Sequence, residues 1–266
     1  MQEFWKDYMV VAIDMRGYNL SFAPPHRFDY RLAYLTQDVA TIIEKLGQEG
    51  QTTLVGHDWG AAVAWHFAYV SIRRFALCSF GRDLICRVQR YPHYLRSVVV
   101  LSMPHPSVVA SSLRNNWRQI WRVWHILLFQ LPYIGERELV KNRSSIIARL
   151  FRSKLVHHEH VTDGDVQVFR EALYYGGPDR AKAILNYYRN IITLRSFLLE
   201  REMRRPLEVP ALMLWGEQDD TFEHSLYQKT LSYGISRSQA LPGGHFLQQD
   251  CPHEVNRSMK TFLDSQ

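Results

Sequence analysis

At 266 residues, 46% of them hydrophobic and 13% aromatic, the chain has enough apolar material for one large domain, or for a core with a smaller subdomain. Its formal net charge of +6 is spread out with no long basic run, which argues against nucleic acid as a partner. No apolar stretch reaches the roughly 18 residues that span a bilayer, and Cys78, Cys86 and Cys251 show neither metal-ligand nor Cys-x-x-Cys spacing, so their odd count speaks for a reducing compartment rather than a disulfide framework.

The start, Gln2-Glu3-Phe4-Trp5-Lys6-Asp7, is acidic and interrupted, unlike a signal peptide. Val10 to Asp14 reads as a buried strand, followed by the turn Arg16-Gly17-Tyr18. From Leu32 to Leu46 apolar groups recur at helical spacing, and Gly47 is a plausible stop. Thr52-Thr53-Leu54-Val55 is β-branched and apolar, as a buried strand should be, and Ala61 to Tyr69 reads as a packed helix. Between them stands Gly56-His57-Asp58-Trp59-Gly60. Strand, tight turn and helix are the context that gives a Gly-x-nucleophile-x-Gly pattern its meaning. The turn strains the nucleophile's backbone, and bulky neighbours in place of the glycines would clash. With Asp58 at its centre the elbow carries a carboxylate, whose chemistry is an alkyl-ester intermediate. Taken alone, Asp58 reads equally as a cap on the helix that follows.

Ser97 to Met103 is a further strand, closed by Pro104-His105-Pro106. From Ser107 to Arg205 no buried strand is apparent, and Trp, Tyr, Arg and Leu abound: a helical subdomain inserted between two strands. Within it, His157-His158-Glu159-His160 looks ligand-like, but no second ligand set lies at helical spacing, so no metal is expected. Pro206 and Pro210 mark the return to the core. Ala211 to Trp215 and Ser238 to Leu241 read as strands, Pro242-Gly243-Gly244-His245 as a turn, and His253 to Leu263 as an amphipathic terminal helix. Short buried strands alternating with helices predict an α/β fold with a mostly parallel sheet. The core spans 1–106 and 206–266, and the helical cap 107–205.

A carboxylate nucleophile needs a base to activate water, and the base needs an orienting partner. Asp219 follows one strand and His245 another, in the order nucleophile, acid, histidine of an α/β-hydrolase. Parallel strands present their carboxyl ends to one edge, where the three converge. Asp220 is an alternative to Asp219. Singly, Asp219 reads also as a helix cap and His245 as a core histidine.

The chain resembles the epoxide hydrolases of the α/β-hydrolase superfamily, and among them the animal membrane-anchored branch. The resemblance rests on Val10 to Tyr18, Val55 to Ala62, Phe129-Gln130-Leu131-Pro132, Asn186-Tyr187-Tyr188-Arg189-Asn190, Leu214 to Glu217, and Gly244 to Asp250 leading into His253-Glu254-Val255-Asn256. It implies that Asp58 attacks an epoxide carbon and Tyr188 protonates the epoxide oxygen. It further implies that His245, oriented by Asp219, activates water, and that the Trp59 N–H serves as an oxyanion donor. No metal or organic cofactor is implied. The implied substrate is a small epoxide, and Trp117, Trp121, Trp124, Phe129 and Tyr133 suggest a lipophilic one held in an aromatic-lined cap. Relatives in that branch carry a membrane anchor; no transmembrane segment is visible here.

Three departures accompany the resemblance. The family's His-Gly-x-Pro loop, whose backbone completes the oxyanion hole, has no match in the sequence. This implies absent first strands, pairing edges at Val10 and Thr52 that need another partner or stand exposed, and lowered or absent activity. The family's first cap tyrosine corresponds to His125, a weak candidate for hydrogen bonding to substrate. Finally, about 20 residues, Val70 to Gln89, separate Tyr69 from Arg90-Tyr91-Pro92. This insert begins Val-Ser and ends in Gln, residues that splice-site-like codons encode. A translated intron and a genuine surface loop both stand as readings. The rival functions are an inactive, truncated α/β-hydrolase-like scaffold and, less well supported, a haloalkane dehalogenase, which needs halide donors where Asn186-Tyr187-Tyr188 stands.

Overall fold

Four strands form the sheet in the computed structural model of the chain, which describes residues 3–47, 50–70, 94–141, 145–175, 177–190, 203–204 and 206–266. They are β1 (Thr52–His57), β2 (Leu95–Leu101), β3 (Ala211–Gly216) and β4 (Arg237–Leu241), all parallel and hydrogen-bonded in that order. The central pair is the most apolar because a parallel sheet is covered on both faces. Period-two alternation sorts its side chains. Val98, Val100, Met213 and Trp215 join one core cluster, and Val99, Leu101, Leu212 and Leu214 join another on the opposite face. β4 opens on exposed Arg237, Ser238 and Gln239, as an edge strand should.

Helix α1 (Leu32–Leu46) buries Leu35, Val39, Ala40 and Ile43, and the Gly47 N–H closes on the Ile43 carbonyl at 2.8 Å. Helix α2 (Trp59–Val70) follows β1 directly and is buried nearly all round, from Ala61 to Tyr69. Both pack on the first face. Between β2 and β3 come α3 (Pro106–Asn115), α4 (Trp117–Arg122), α5 (Trp124–Gln130), α6 (Ile134–Val140), α7 (Ser145–Ser153), α8 (Asp163–Tyr174) and α9 (Gly177–Arg189). The Arg189 guanidinium ties three of these together. It pairs with Glu136 at 2.7 and 3.0 Å and donates to the Phe129 carbonyl at 2.9 Å. After β3, α10 (His224–Thr230) leads to β4, and α11 (Leu247–Asp250) and α12 (Pro252–Leu263) cover the second face. No helix among the described residues is long and apolar enough to cross a membrane.

Two expectations fail here or fall outside view. Val10 to Asp14 is not a strand: it joins no ladder, and Val11 and Ile13 are 45% and 42% exposed. A strand exists only through a partner edge. Among the described residues β1 pairs with β2 alone, and nothing bridges from its free side to Val10. The segment is held by turn contacts instead, with the Ser21 hydroxyl on the Asp14 carbonyl at 2.6 Å. The insert from Val70 to Gln89, with Cys78 and Cys86, lies outside the described residues except for Val70.

Candidate active site

The elbow around Asp58 is built by the joint between β1 and α2. Asp58 takes a left-handed backbone, φ +49°, a strained state that Asp tolerates better than most residues. Its carbonyl accepts the Ala62 N–H at 3.0 Å and so starts α2. The turn is tight enough that a Cβ on Gly56 would lie 2.4 Å from the Gly60 carbonyl oxygen. Gly60 is different, because a Cβ there would meet nothing within 4 Å. The steric expectation for the glycines therefore holds on one side of Asp58 only. Gly56→Ala is expected to destabilise the fold by about 2–3 kcal/mol through overpacking, measured as a lowered urea midpoint, and Gly60→Ala by much less.

His245 lies between two carboxylates. Its Nδ1–H donates to Asp219 Oδ2 at 3.0 Å, and its Nε2 stands 3.4 Å from Asp58 Oδ1. Asp219 rather than Asp220 faces the ring. The Asp219 side chain is fully buried, and its Oδ1 accepts the N–H groups of Thr221 and Phe222 at 2.7 and 3.1 Å. Asp220 turns away to pair with Lys154 Nζ at 2.6 Å.

The electrostatics follow from this arrangement. Burial disfavours the His245 imidazolium, but Asp219 and then Asp58 outweigh it and push its pKa up to about 10. Partial withdrawal from water works against the Asp58 carboxylate. Hydrogen bonding and charge from His245, with smaller help from His57 and the Trp59 N–H, still bring its pKa down to about 2. His57 is held neutral, near 4, first by burial and then by the charge of His245.

Tyr187 and Tyr188 are separated by their surroundings. Tyr187 is a core residue whose hydroxyl donates to the Arg16 carbonyl at 2.6 Å. Tyr188 packs edge-on against Trp59 at 5.3 Å and Phe129 at 5.0 Å. Burial, and then the charge of Asp58, push its phenol well above the ordinary range, so it stays a protonated donor. His125 lies edge-on to Tyr188 at 6.5 Å and is held toward neutrality by burial and then by Lys154.

The tryptophans of the cap are not enclosed. Trp117 and Trp121 are 67% and 69% exposed, and Trp124 and Tyr133 also face solvent. Of the five aromatics expected to form the pocket, Phe129 alone is buried, against Tyr188. The apolar walls come instead from Trp59, Phe222 and Phe246, the last two packed on His245 with ring centroids at 6.1 and 5.5 Å. A surface cleft of about 390 Å³ runs between β4 and α12 and another of about 450 Å³ between α12 and Glu3, and neither shares a residue with Asp58, Asp219 or His245.

Sequence reasoning assigned no role to two further residues. The His57 Nε2–H donates to the His245 carbonyl at 2.8 Å. Asp250 is fully buried and accepts the N–H groups of Gly244 at 2.6 Å, Val156 at 2.9 Å and His157 at 2.9 Å, so it pins the His245 turn to the cap. The only signal for Asp250 was its place in the Gly244–Asp250 motif. Two histidines of the ligand-like cluster serve this same seam. His157 donates to the Pro242 carbonyl at 2.8 Å and His160 to the Asp250 carbonyl at 2.6 Å.

Residues 2–250 match the α/β hydrolase fold family. Epoxide hydrolase 4 of Homo sapiens is 31% identical over 271 residues, covering 99% of this chain and 67% of the relative. A solved epoxide hydrolase from Bacillus megaterium, in complex with an inhibitor, superposes with a TM-score of 0.77 at 30% identity, covering 99% of this chain and 86% of that one. The chain belongs to the epoxide hydrolase family of the α/β-hydrolase superfamily. It spans 60% of the length of one curated member of the family, epoxide hydrolase 1 of Caenorhabditis elegans, at 29% identity. The elbow, the acid and the histidine described above form one connected group within it.

Proposed function

We propose that the chain opens small lipophilic epoxides to vicinal diols through an ester on Asp58. One observation carries this reading: a single imidazole, His245, is within reach of Asp58 on one nitrogen and bonded to Asp219 on the other. In the first step an Asp58 carboxylate oxygen attacks an epoxide carbon. The carbon–oxygen bond breaks, and the departing oxygen takes the proton of the Tyr188 hydroxyl, which is later restored from solvent. A neutral phenol suits this role because it donates without adding a negative charge beside Asp58. In the second step His245 takes a proton from water, and the resulting hydroxide adds to the ester carbonyl. The developing oxyanion is met by the Trp59 N–H, and collapse releases the diol while His245 returns the proton to its oxygen.

The change of base strength is internal to the scheme. Ester formation removes the charge of Asp58, one of the two anions that keep the proton on His245. The imidazole thus loses its proton more readily when the base is needed.

A second reading, a scaffold that does not turn over, is favoured by one sequence fact: no His-Gly-x-Pro occurs in the chain. Loss of one oxyanion donor costs about 10²–10³ in kcat. Mass spectrometry after exposure to styrene oxide, with diol assayed in parallel, separates the readings. An adduct on Asp58 with diol release supports the enzyme; no adduct and no diol overturn it. Tyr188→Phe is expected to slow adduct formation by about 10²-fold, as loss of a general acid does, and to leave ester hydrolysis near the parent rate. Halide release from chloroalkanes in place of diol formation points to a dehalogenase.

A further inference from the structure

Helix α4 turns five of its six residues toward solvent and buries one, Gln119, which is 0% exposed. Placing a primary amide at the one inward position is costly unless both of its ends are bonded. Both are. The Gln119 Nε2–H donates to the Thr221 carbonyl at 2.8 Å, and its Oε1 accepts the Glu223 N–H at 3.1 Å. These groups belong to the loop that follows β3, more than 100 residues away in sequence. The same loop supplies the Thr221 and Phe222 N–H groups that hold Asp219 Oδ1 and leave Oδ2 for His245. Two further contacts lie outside this clamp: Asn116 Nδ2 on the Glu223 side chain at 2.8 Å, and Arg122 Nη1 on the Asp219 carbonyl at 3.3 Å.

We infer that Gln119 is a positioning residue for the Asp219–His245 pair, through which the cap sets the orientation of the base. The amide clamps the loop from outside, and the loop clamps the carboxylate from inside. Any shift of α4 is thereby passed to the acid that orients His245. The inference rests on the proposed roles of Asp219 and His245, and it separates the two half-reactions. Asp58 and Tyr188 form the ester without the pair, whereas hydrolysis of the ester requires it.

The test compares the parent chain with Gln119→Met, which keeps the side chain's length and removes both hydrogen bonds. With styrene oxide in single turnovers, Q119M is expected to form the Asp58 ester within about threefold of the parent rate and to hydrolyse it about 10²-fold more slowly, the scale of a displaced catalytic group. The low-field proton resonance of His245 Nδ1–H is expected to move upfield or broaden, with the tryptophan indole resonances unmoved. Asn116→Ser keeps a helix-capping side chain and loosens only its outer contact with Glu223, so it is expected to leave both half-reactions within about threefold. Unchanged hydrolysis and an unchanged resonance in Q119M, or an equal loss in N116S, overturn the inference. Should Q119M fail to fold, Gln119→Glu has the same shape and turns an acceptor on the Thr221 carbonyl. The same loss is expected to grow as the new carboxyl ionises, and its absence counts against the idea. If the parent chain forms no ester, the functional reading fails, and the His245 resonance still decides the role of Gln119.

Discussion

Asp58→Asn is expected to abolish both the covalent adduct and diol release, a fall on the order of 10⁶ for removal of a nucleophile. Asn is the substitution of choice because the position has φ +49°, and Asn accepts a left-handed backbone with little penalty. The folded chain should survive, and the loss then belongs to chemistry. The same variant probes the electrostatics. Asp58 is one of the two carboxylates that raise the pKa of His245 to about 10, so its neutralisation should lower that value. Titration of the His245 ring by NMR in parent and variant checks this. An unchanged titration together with an intact adduct means that another residue carries the ester.

His245→Gln is expected to do the opposite to the intermediate. Ester formation continues, hydrolysis falls by about 10³-fold or more, and mass spectrometry shows one adduct per chain that persists. Rapid diol release from this variant refutes the assignment of the base.

The variant should also change the pH dependence of stability, and the sign can be worked out. The folded pKa of His245 is raised above its ordinary 6.5 to about 10. Its contribution is therefore complete below pH 6.5 and is lost as pH rises through about 10. Asp58 is lowered from 3.8 to about 2, so its contribution is present above 3.8 and is lost as pH falls toward 2. His57 is lowered from 6.5 to about 4, which removes stability as pH falls through that window. Melting temperatures across pH should show the alkaline decline in the parent and not in H245Q, and a smaller acid decline in the variant, because His245 is the main cause of the lowered Asp58 pKa while burial still holds His57 down.

Much of the frame was legible. Leu32–Leu46 needed only its 3.6-residue spacing and Gly47, and the central strands needed only their unbroken apolar runs. Other features depended on neighbours that local pattern does not contain. Val10 to Asp14 has the composition of a strand but, among the described residues, joins no edge. The short helices α4 and α5 carry apolar residues on several sides, so periodicity leaves their rotation open, and the tryptophans face solvent while Gln119 points inward. Asp219 and Asp220 are adjacent and chemically alike. Only the loop, with its N–H groups on one and Lys154 on the other, distinguishes them.

By itself the amino-acid sequence determined which residue types stand in which order at the candidate site. A carboxylate in a glycine-flanked strand–turn–helix, then an acid and a histidine each after a strand, is a statement about residue types in order, and order survives without coordinates. Tertiary structure placed the Asp219 carboxylate rather than that of Asp220 on the histidine, bound the Tyr187 hydroxyl to the Arg16 carbonyl, and turned Gln119 alone of α4 inward. Those choices turn on hydrogen bonds and burial between segments as much as 188 residues apart, such as the His57–His245 contact. Only the closed fold brings such groups within bonding distance.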